Sequence, residues 1–161
     1  MTNIPVYSFV AFSGTGKTTL IVKLVAELKA RGLRVAVIKH DAHEFDIDQE
    51  GKDSWRFTRA GADVTVVVSG AKAAIMENRP VSLDTLLGRI TDVDLIITEG
   101  YKSGPWPKIA VRRVATGKPL PIPPAECFAI VTDAAAYIEA PCFGLDDVCG
   151  LAGLIVEDMK K

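Results

Sequence analysis

Apolar residues fall into short runs, and these alternate with stretches in which they recur every three or four positions. The runs Val6-Tyr7-Ser8-Phe9-Val10, Val35-Ala36-Val37-Ile38, Leu95-Ile96-Ile97-Thr98, Ile109-Ala110-Val111 and Phe128-Ala129-Ile130-Val131 predict buried strands. Val64 to Val68 predicts another strand, paired with Ala73 to Met76. Between them, Leu20, Ile21, Leu24, Val25 and Leu28 share one helical face, with Lys23 and Glu27 expected to pair at i,i+4 on another. Gly32 is placed to end that helix. Further helices are expected over 54–60, over 82–90 with Leu83, Leu86 and Leu87 inward, and over 147–159 with Val148, Leu151, Ala152, Ile155 and Met159 aligned. Pro119, Pro121, Pro123 and Pro124 form a stiff connector before the Phe128 strand, because proline fixes φ. Strands alternating with helices predict an α/β fold with a mostly parallel central sheet flanked by helices.

One break in this pattern carries chemistry. Between the first strand and the first helix lies Ala11-Phe12-Ser13-Gly14-Thr15-Gly16-Lys17-Thr18. A tight turn there points backbone N–H groups at phosphate oxygens, and the helix that follows presents unpaired amides and a positive dipole end. Gly14 and Gly16 permit the turn, Lys17 reaches the β- and γ-phosphates, and the Thr18 hydroxyl can ligate Mg²⁺. The strict pattern begins with glycine, and Ala11 stands at that place. The segment from Ala11 to Thr18 predicts a three-layer P-loop NTPase fold that grips the phosphates of a nucleotide.

Such a loop needs a carboxylate to complete the Mg²⁺ shell, placed where a central strand ends. Glu99 follows the Leu95 strand, with Gly100 directly after it, and is the first candidate for a catalytic and metal-binding acid beside Lys17. Asp94 begins the same strand and is read as a solvated or capping residue. Asp41 follows the second strand and is the other metal candidate. Its surroundings turn polar: His40, His43, Asp46 and Asp48 could bind a metal or read a substrate or partner. Two histidines without a nearby cysteine argue against dedicated zinc, so a polar loop without metal stays open.

Composition narrows the picture. The chain has 161 residues, 48% of them apolar, which suits one domain over 1–161. A formal net charge of -1, with Lys and Arg spread along the chain, argues against a nucleic-acid surface. Three cysteines without C-x-x-C spacing argue against structural zinc or a disulfide framework. No signal peptide is read, and no apolar run approaches the ~20 residues of a bilayer span, so a cytoplasmic protein is expected.

Four motifs in order carry a family resemblance: the phosphate loop, Ile38 to Asp48, Gly51-Lys52-Asp53-Ser54-Trp55 with Ala60-Gly61-Ala62, and Glu99-Gly100-Tyr101-Lys102. Together they resemble the MobB family, the molybdopterin-guanine dinucleotide biosynthesis adaptor proteins, as far as about Lys102. The resemblance implies a dimeric GTP-binding protein of the class that includes the urease and hydrogenase metallochaperone GTPases. It would assist the nucleotidyltransferase that joins GMP to molybdenum-bound molybdopterin, with GTP and Mg²⁺ as cofactors. It assigns the phosphate grip to Ser13 to Thr19, the acid to Glu99, and a partner or pterin loop to His40, His43, Asp46 and Asp48. The chain departs from the family pattern at Ala42, where relatives often carry a further histidine.

No Asn-Lys-x-Asp segment is present to read guanine, and Asp133, at the end of the Phe128 strand, is the stand-in. With no water-positioning glutamine or arginine finger in view, hydrolysis would be weak, at roughly 10⁻⁴ to 10⁻² per second. The rival reading is an ATP-dependent small-molecule kinase or ligase, whose acceptor would lie against residues 40–52 and 101–108. A kinase would usually carry an arginine-rich lid, and no such segment stands out.

Overall fold

The computed structural model describes residues 3–40 and 45–161. Among the described residues, eight strands and four α-helices follow in the order β1 (Val6–Val10), α1 (Lys17–Ala30), β2 (Val35–Lys39), α2 (Asp53–Arg59), β3 (Val64–Val68), β4 (Ala73–Glu77), α3 (Leu83–Arg89), β5 (Leu95–Glu99), β6 (Lys108–Arg112), β7 (Ala129–Thr132), β8 (Cys142–Phe143) and α4 (Val148–Asp158). They group into two compact units, one made of Thr2–His40 with Ile90–Lys161, the other lying within Asp41–Arg89.

The larger unit is built on a six-stranded sheet in the order β2-β5-β1-β6-β7-β8, and every pairing in it is parallel. β1 and β5 are buried along their whole length, which explains why they read as unbroken apolar runs rather than as alternating ones. Alternate residues still point to opposite faces. Tyr7, Phe9, Leu95, Ile97, Ile109, Val111, Ala129 and Val131 face α1 and α4 and form the main core with Leu20, Ile21, Leu24, Leu28, Leu151, Ala152 and Ile155. On the opposite face Val10 and Ala110 are covered by Ile122 and Leu120. The proline-rich connector is therefore part of the core covering as well as a spacer.

The i,i+4 pair expected between Lys23 and Glu27 does not form. Lys23 Nζ reaches Asp146 at 2.7 Å, just before α4, and Glu27 accepts from Arg31 at 2.8 Å instead. Packing of α1 against α4 brings in a carboxylate that no local spacing reveals. Gly32 does close α1: with φ of 84° it donates to the Lys29 carbonyl. At the other end of the chain the Tyr7 hydroxyl donates to Asp158 at 3.0 Å. Burial, then the bond to Asp158 and its charge, raise the Tyr7 phenol well above its usual range. Asp94 caps the start of β2, accepting from the Arg34 backbone N–H and side chain. Those bonds hold its carboxyl below the usual range.

The second unit carries α2, the antiparallel hairpin of β3 and β4, and α3. Val66 lies opposite Ile75 in the hairpin, the pairing expected from sequence. In α3 only Leu87 is fully buried. Among the described residues no helix is long and apolar enough to cross a membrane.

Leu24 is completely buried between α1 and the sheet, whereas Val22 on the same helix is 64% exposed. Leu24→Ala should cost about 2–5 kcal/mol through lost burial and an unfilled cavity. Val22→Ala should change stability by less than about 0.5 kcal/mol. Urea unfolding of both variants measures the difference.

Candidate functional site

β1 delivers the chain to the loop at the C-terminal edge of the sheet, where α/β folds place their ligands. Gly14 and Gly16 have φ of 84° and 87°, values that side-chain-bearing residues rarely adopt, so the turn depends on glycine at both places. The Thr15 hydroxyl, 2% exposed as a residue, donates to the Phe12 carbonyl at 3.0 Å and locks the turn from inside. Gly16 is the N-cap of α1, with no side-chain cap bond and no acidic residue in the first turn. The amides of Lys17, Thr18 and Thr19 thus open the helix with no side chain of the cap competing for them. Fourteen residues of aligned helix put its positive end there.

Glu99 ends β5 beside this turn. Parallel pairing sets Glu99 opposite Phe9 on one side and Lys39 on the other. Two backbone bonds pin the edge, Gly100 N–H to Phe9 O at 2.9 Å and His40 N–H to Glu99 O at 3.0 Å. The carboxylate, with the residue 8% exposed, accepts from the Thr18 hydroxyl at 2.8 Å, and Lys17 Nζ lies 3.5 Å from the same oxygen. A hydroxyl, a carboxylate and an ammonium that lie far apart in sequence meet here. The hydroxyl and carboxylate oxygens suit a hard cation that keeps most of its ligands as water and phosphate oxygen, and the ammonium suits a phosphate beside it. Among the described residues no group of three or more His, Cys, Asp or Glu gathers to hold a metal by itself.

Two basic residues that the sequence reading did not single out border the loop. Lys118 Nζ donates to the Ser13 carbonyl at 3.2 Å and stands 6.0 Å from the Phe12 ring centroid. A Cβ on Gly16 would lie 3.4 Å from Arg113 Nη2, so the glycine also leaves room for a guanidinium. Both belong to the segment after β6, whose register against β1 pairs Val10 with Ala110. The available signal was the pair Arg112-Arg113 directly after a buried strand.

The other sequence candidates are spread more widely. Asp133 follows β7, and one of its oxygens accepts the Val114 N–H at 2.7 Å, which ties it to the turn that carries Lys118. His40 follows β2, with its ring 4.7 Å from that of Tyr101. Asp46 and Asp48 belong to the second unit. Asp46 lies 3.8 Å from Arg59, and Asp48 accepts from the Gln49 N–H and the Ser54 hydroxyl. Asp41 and His43 lie outside the described residues. All three cysteines are free thiols.

A glycine-bearing turn between a parallel strand and a helix, with a strand-end carboxylate on its threonine, defines the P-loop NTPase class of α/β folds. The sequence pattern described as molybdopterin guanine dinucleotide synthesis protein B, MobB, matches residues 6–133, beyond the stretch that carries the resemblance in sequence. The molybdopterin-guanine dinucleotide biosynthesis adapter protein of Haemophilus influenzae is 39% identical over 156 residues, covering 94% of this chain and 88% of that one. The protein of that name from Escherichia coli is 38% identical, covering 99% of this chain and 96% of that one. The crystal structure of Bacillus subtilis MobB superposes with a TM-score of 0.78 at 27% identity, covering 96% of this chain and 97% of that one. The chain belongs to the MobB family.

Lys17 would supply a charge-assisted contact to a phosphate seated on the loop, worth ~1.5–3 kcal/mol in a sheltered site. Lys17→Ala should weaken triphosphate binding about ten- to a hundredfold with unchanged circular dichroism. Calorimetric titration with a non-hydrolysable analogue tests this, and equal affinity in the variant would remove the loop's assigned role.

Proposed function

We propose that this protein is a GTP-binding adaptor in molybdopterin-guanine dinucleotide biosynthesis, acting as a cytoplasmic homodimer on the nucleotidyltransferase of that pathway. The observation that carries the nucleotide part is the meeting of Thr18, Lys17 and Glu99 at the head of α1. Ser13 to Thr19 would seat the phosphates, with Lys17 on their outer oxygens and the first-turn amides beneath them. Thr18 and Glu99 would hold Mg²⁺, which when bound neutralises phosphate charge. Glu99, released from the Thr18 hydroxyl, would orient the water facing the terminal phosphate. Arg113 and Lys118 add positive charge at the loop without belonging to the catalytic pair.

Guanine preference is assigned to Asp133, an exposed carboxylate that accepts the Val114 N–H through one of its oxygens. The two N–H groups on guanine's edge suit a carboxylate acceptor, and adenine presents a different edge. Hydrolysis is slow in this reading, so the terminal phosphate serves as a signal more than as a leaving group. A loop ordered by that phosphate loses its contacts on cleavage. The family's names supply the pathway and the word adapter, and the nucleotidyltransferase as partner is the reading proposed here.

An adaptor of this kind must bind its partner differently in its two nucleotide states. The non-hydrolysable GTP form and the GDP form should differ in affinity for the nucleotidyltransferase by at least ~1 kcal/mol. Paired titrations read by light scattering or calorimetry check this. Identical curves, or no association in either state, would contradict the adaptor reading and favour transfer of phosphate to a small acceptor.

A further inference from the structure

In the sheet, β1 has β5 on one side and β6 on the other. Each neighbour brings its own chemistry to the phosphate loop. β5 supplies an acid, Glu99, against Thr18 and Lys17. The stretch after β6, from Arg113 to Lys118, carries two bases and no acid. Arg113 Nη2 would lie 3.4 Å from a Cβ on Gly16, and Lys118 Nζ donates to the Ser13 carbonyl at 3.2 Å. The loop therefore has an acidic flank and a basic flank.

The basic flank stands on a braced turn. The Thr116 N–H and hydroxyl both donate to the Arg113 carbonyl, at 3.1 and 2.8 Å, and Gly117 N–H donates to the Val114 carbonyl at 2.9 Å. The two adjacent arginines have different parts. Arg112 supports the turn: its Nη1 donates to the Tyr137 hydroxyl at 2.7 Å and its Nε to the Lys118 carbonyl at 3.3 Å. Arg113 points its guanidinium at the loop instead. The acid that feels its charge, Asp146, is already paired with Lys23 at 2.7 Å. Positive groups gathered this way beside helix amides and Lys17 call for an anion.

The two flanks also give that anion a direction. Asp133 follows β7, which pairs with β6, and it accepts the Val114 N–H next to Arg113 at 2.7 Å. In the nucleotide reading the base then lies on the β7 side and the metal on the β5 side. The phosphates nearest the nucleoside pass the basic flank, and the terminal one passes Glu99.

We infer that Arg113 and Lys118 form a metal-independent clamp on the α- and β-phosphates, which lets the protein hold a nucleoside diphosphate without Mg²⁺. The inference rests on the nucleotide reading proposed above and adds a second half to its phosphate site. A guanidinium offers parallel N–H donors to phosphate oxygens, and an ammonium offers a point charge. Lys118 would exchange the Ser13 carbonyl for a phosphate oxygen. Neither contact uses Thr18 or Glu99. Loss of the terminal phosphate and the metal would leave the diphosphate in place.

Calorimetric titration of the full chain with GDP in EDTA tests the clamp, with a non-hydrolysable GTP analogue and Mg²⁺ titrated in parallel. Wild type should bind GDP without the metal. Arg113→Ala should weaken that binding at least about tenfold and Lys118→Ala at least about threefold, with Arg113→Lys between wild type and Arg113→Ala. Lys29→Ala removes the same charge from the far end of α1 and should change nothing. All three positions are exposed, so the fold should tolerate each change. GDP binding that needs Mg²⁺ overturns the clamp. So does unchanged GDP affinity in Arg113→Ala, and if wild type binds the GTP analogue the nucleotide reading still stands. Loss of GTP cleavage in Arg113→Ala with GDP affinity kept also overturns it, and gives the guanidinium to the terminal phosphate. A wild type that binds neither nucleotide removes the nucleotide reading and the clamp together.

Discussion

The hydrogen bond from the Thr18 hydroxyl to Glu99 depends on two separate structural conditions. One is local: the turn through Gly14 and Gly16 must close so that Thr18 falls in the first turn of α1. The other is long-range: β5 must pair with β1 in the register that sets Glu99 opposite Phe9. A slip of one residue would turn Glu99 to the other face of the sheet, because side chains alternate along a strand. The register is held by complete burial of both strands, by the Ser8–Thr98 hydroxyl bond at 2.8 Å, and by the backbone bond from Gly100 to Phe9.

Charge around the loop follows the same logic. Helix amides and Lys17 from the head of α1, and Lys118 and Arg113 from the stretch after β6, approach from two separate segments, and Glu99 is the one acid the described residues bring to Thr18. Positive charge gathered at one point is unfavourable unless something neutralises it, and a polyphosphate does so. Glu99 offsets part of it by lying against both Thr18 and Lys17. The same contacts keep the buried carboxylate paired. The site is therefore preorganised, and a nucleotide would replace contacts instead of building them.

Features written in consecutive residues were legible in the sequence. Strand, turn and helix from Val6 to Ala30 share one neighbourhood, so apolar runs, glycine spacing and helical periodicity all agree there. The position of Glu99 beside the loop was legible too, because a carboxylate that ends a buried apolar run has few places to go. The hairpin of β3 and β4 followed from two short runs with a turn between them. Features created by tertiary approach were not legible. Lys23 finds Asp146 only because α4 packs on α1, and Arg113 and Lys118 reach the loop only because β6 pairs with β1. β8 has just two residues, too few for any period to show. The proline connector looked like a spacer because its apolar residues are few, yet Ile122 and Leu120 cover the sheet.

The account turns on Glu99 acting through a metal instead of merely bracing Thr18. Glu99→Gln keeps the shape and an oxygen for the Thr18 hydroxyl while removing the charge. Single-turnover GTP cleavage across a Mg²⁺ titration, for wild type and variant, separates these roles. The account predicts that nucleotide binding changes little, while cleavage falls at least about tenfold and needs more Mg²⁺. Wild-type rate and wild-type Mg²⁺ dependence in Glu99→Gln would contradict it.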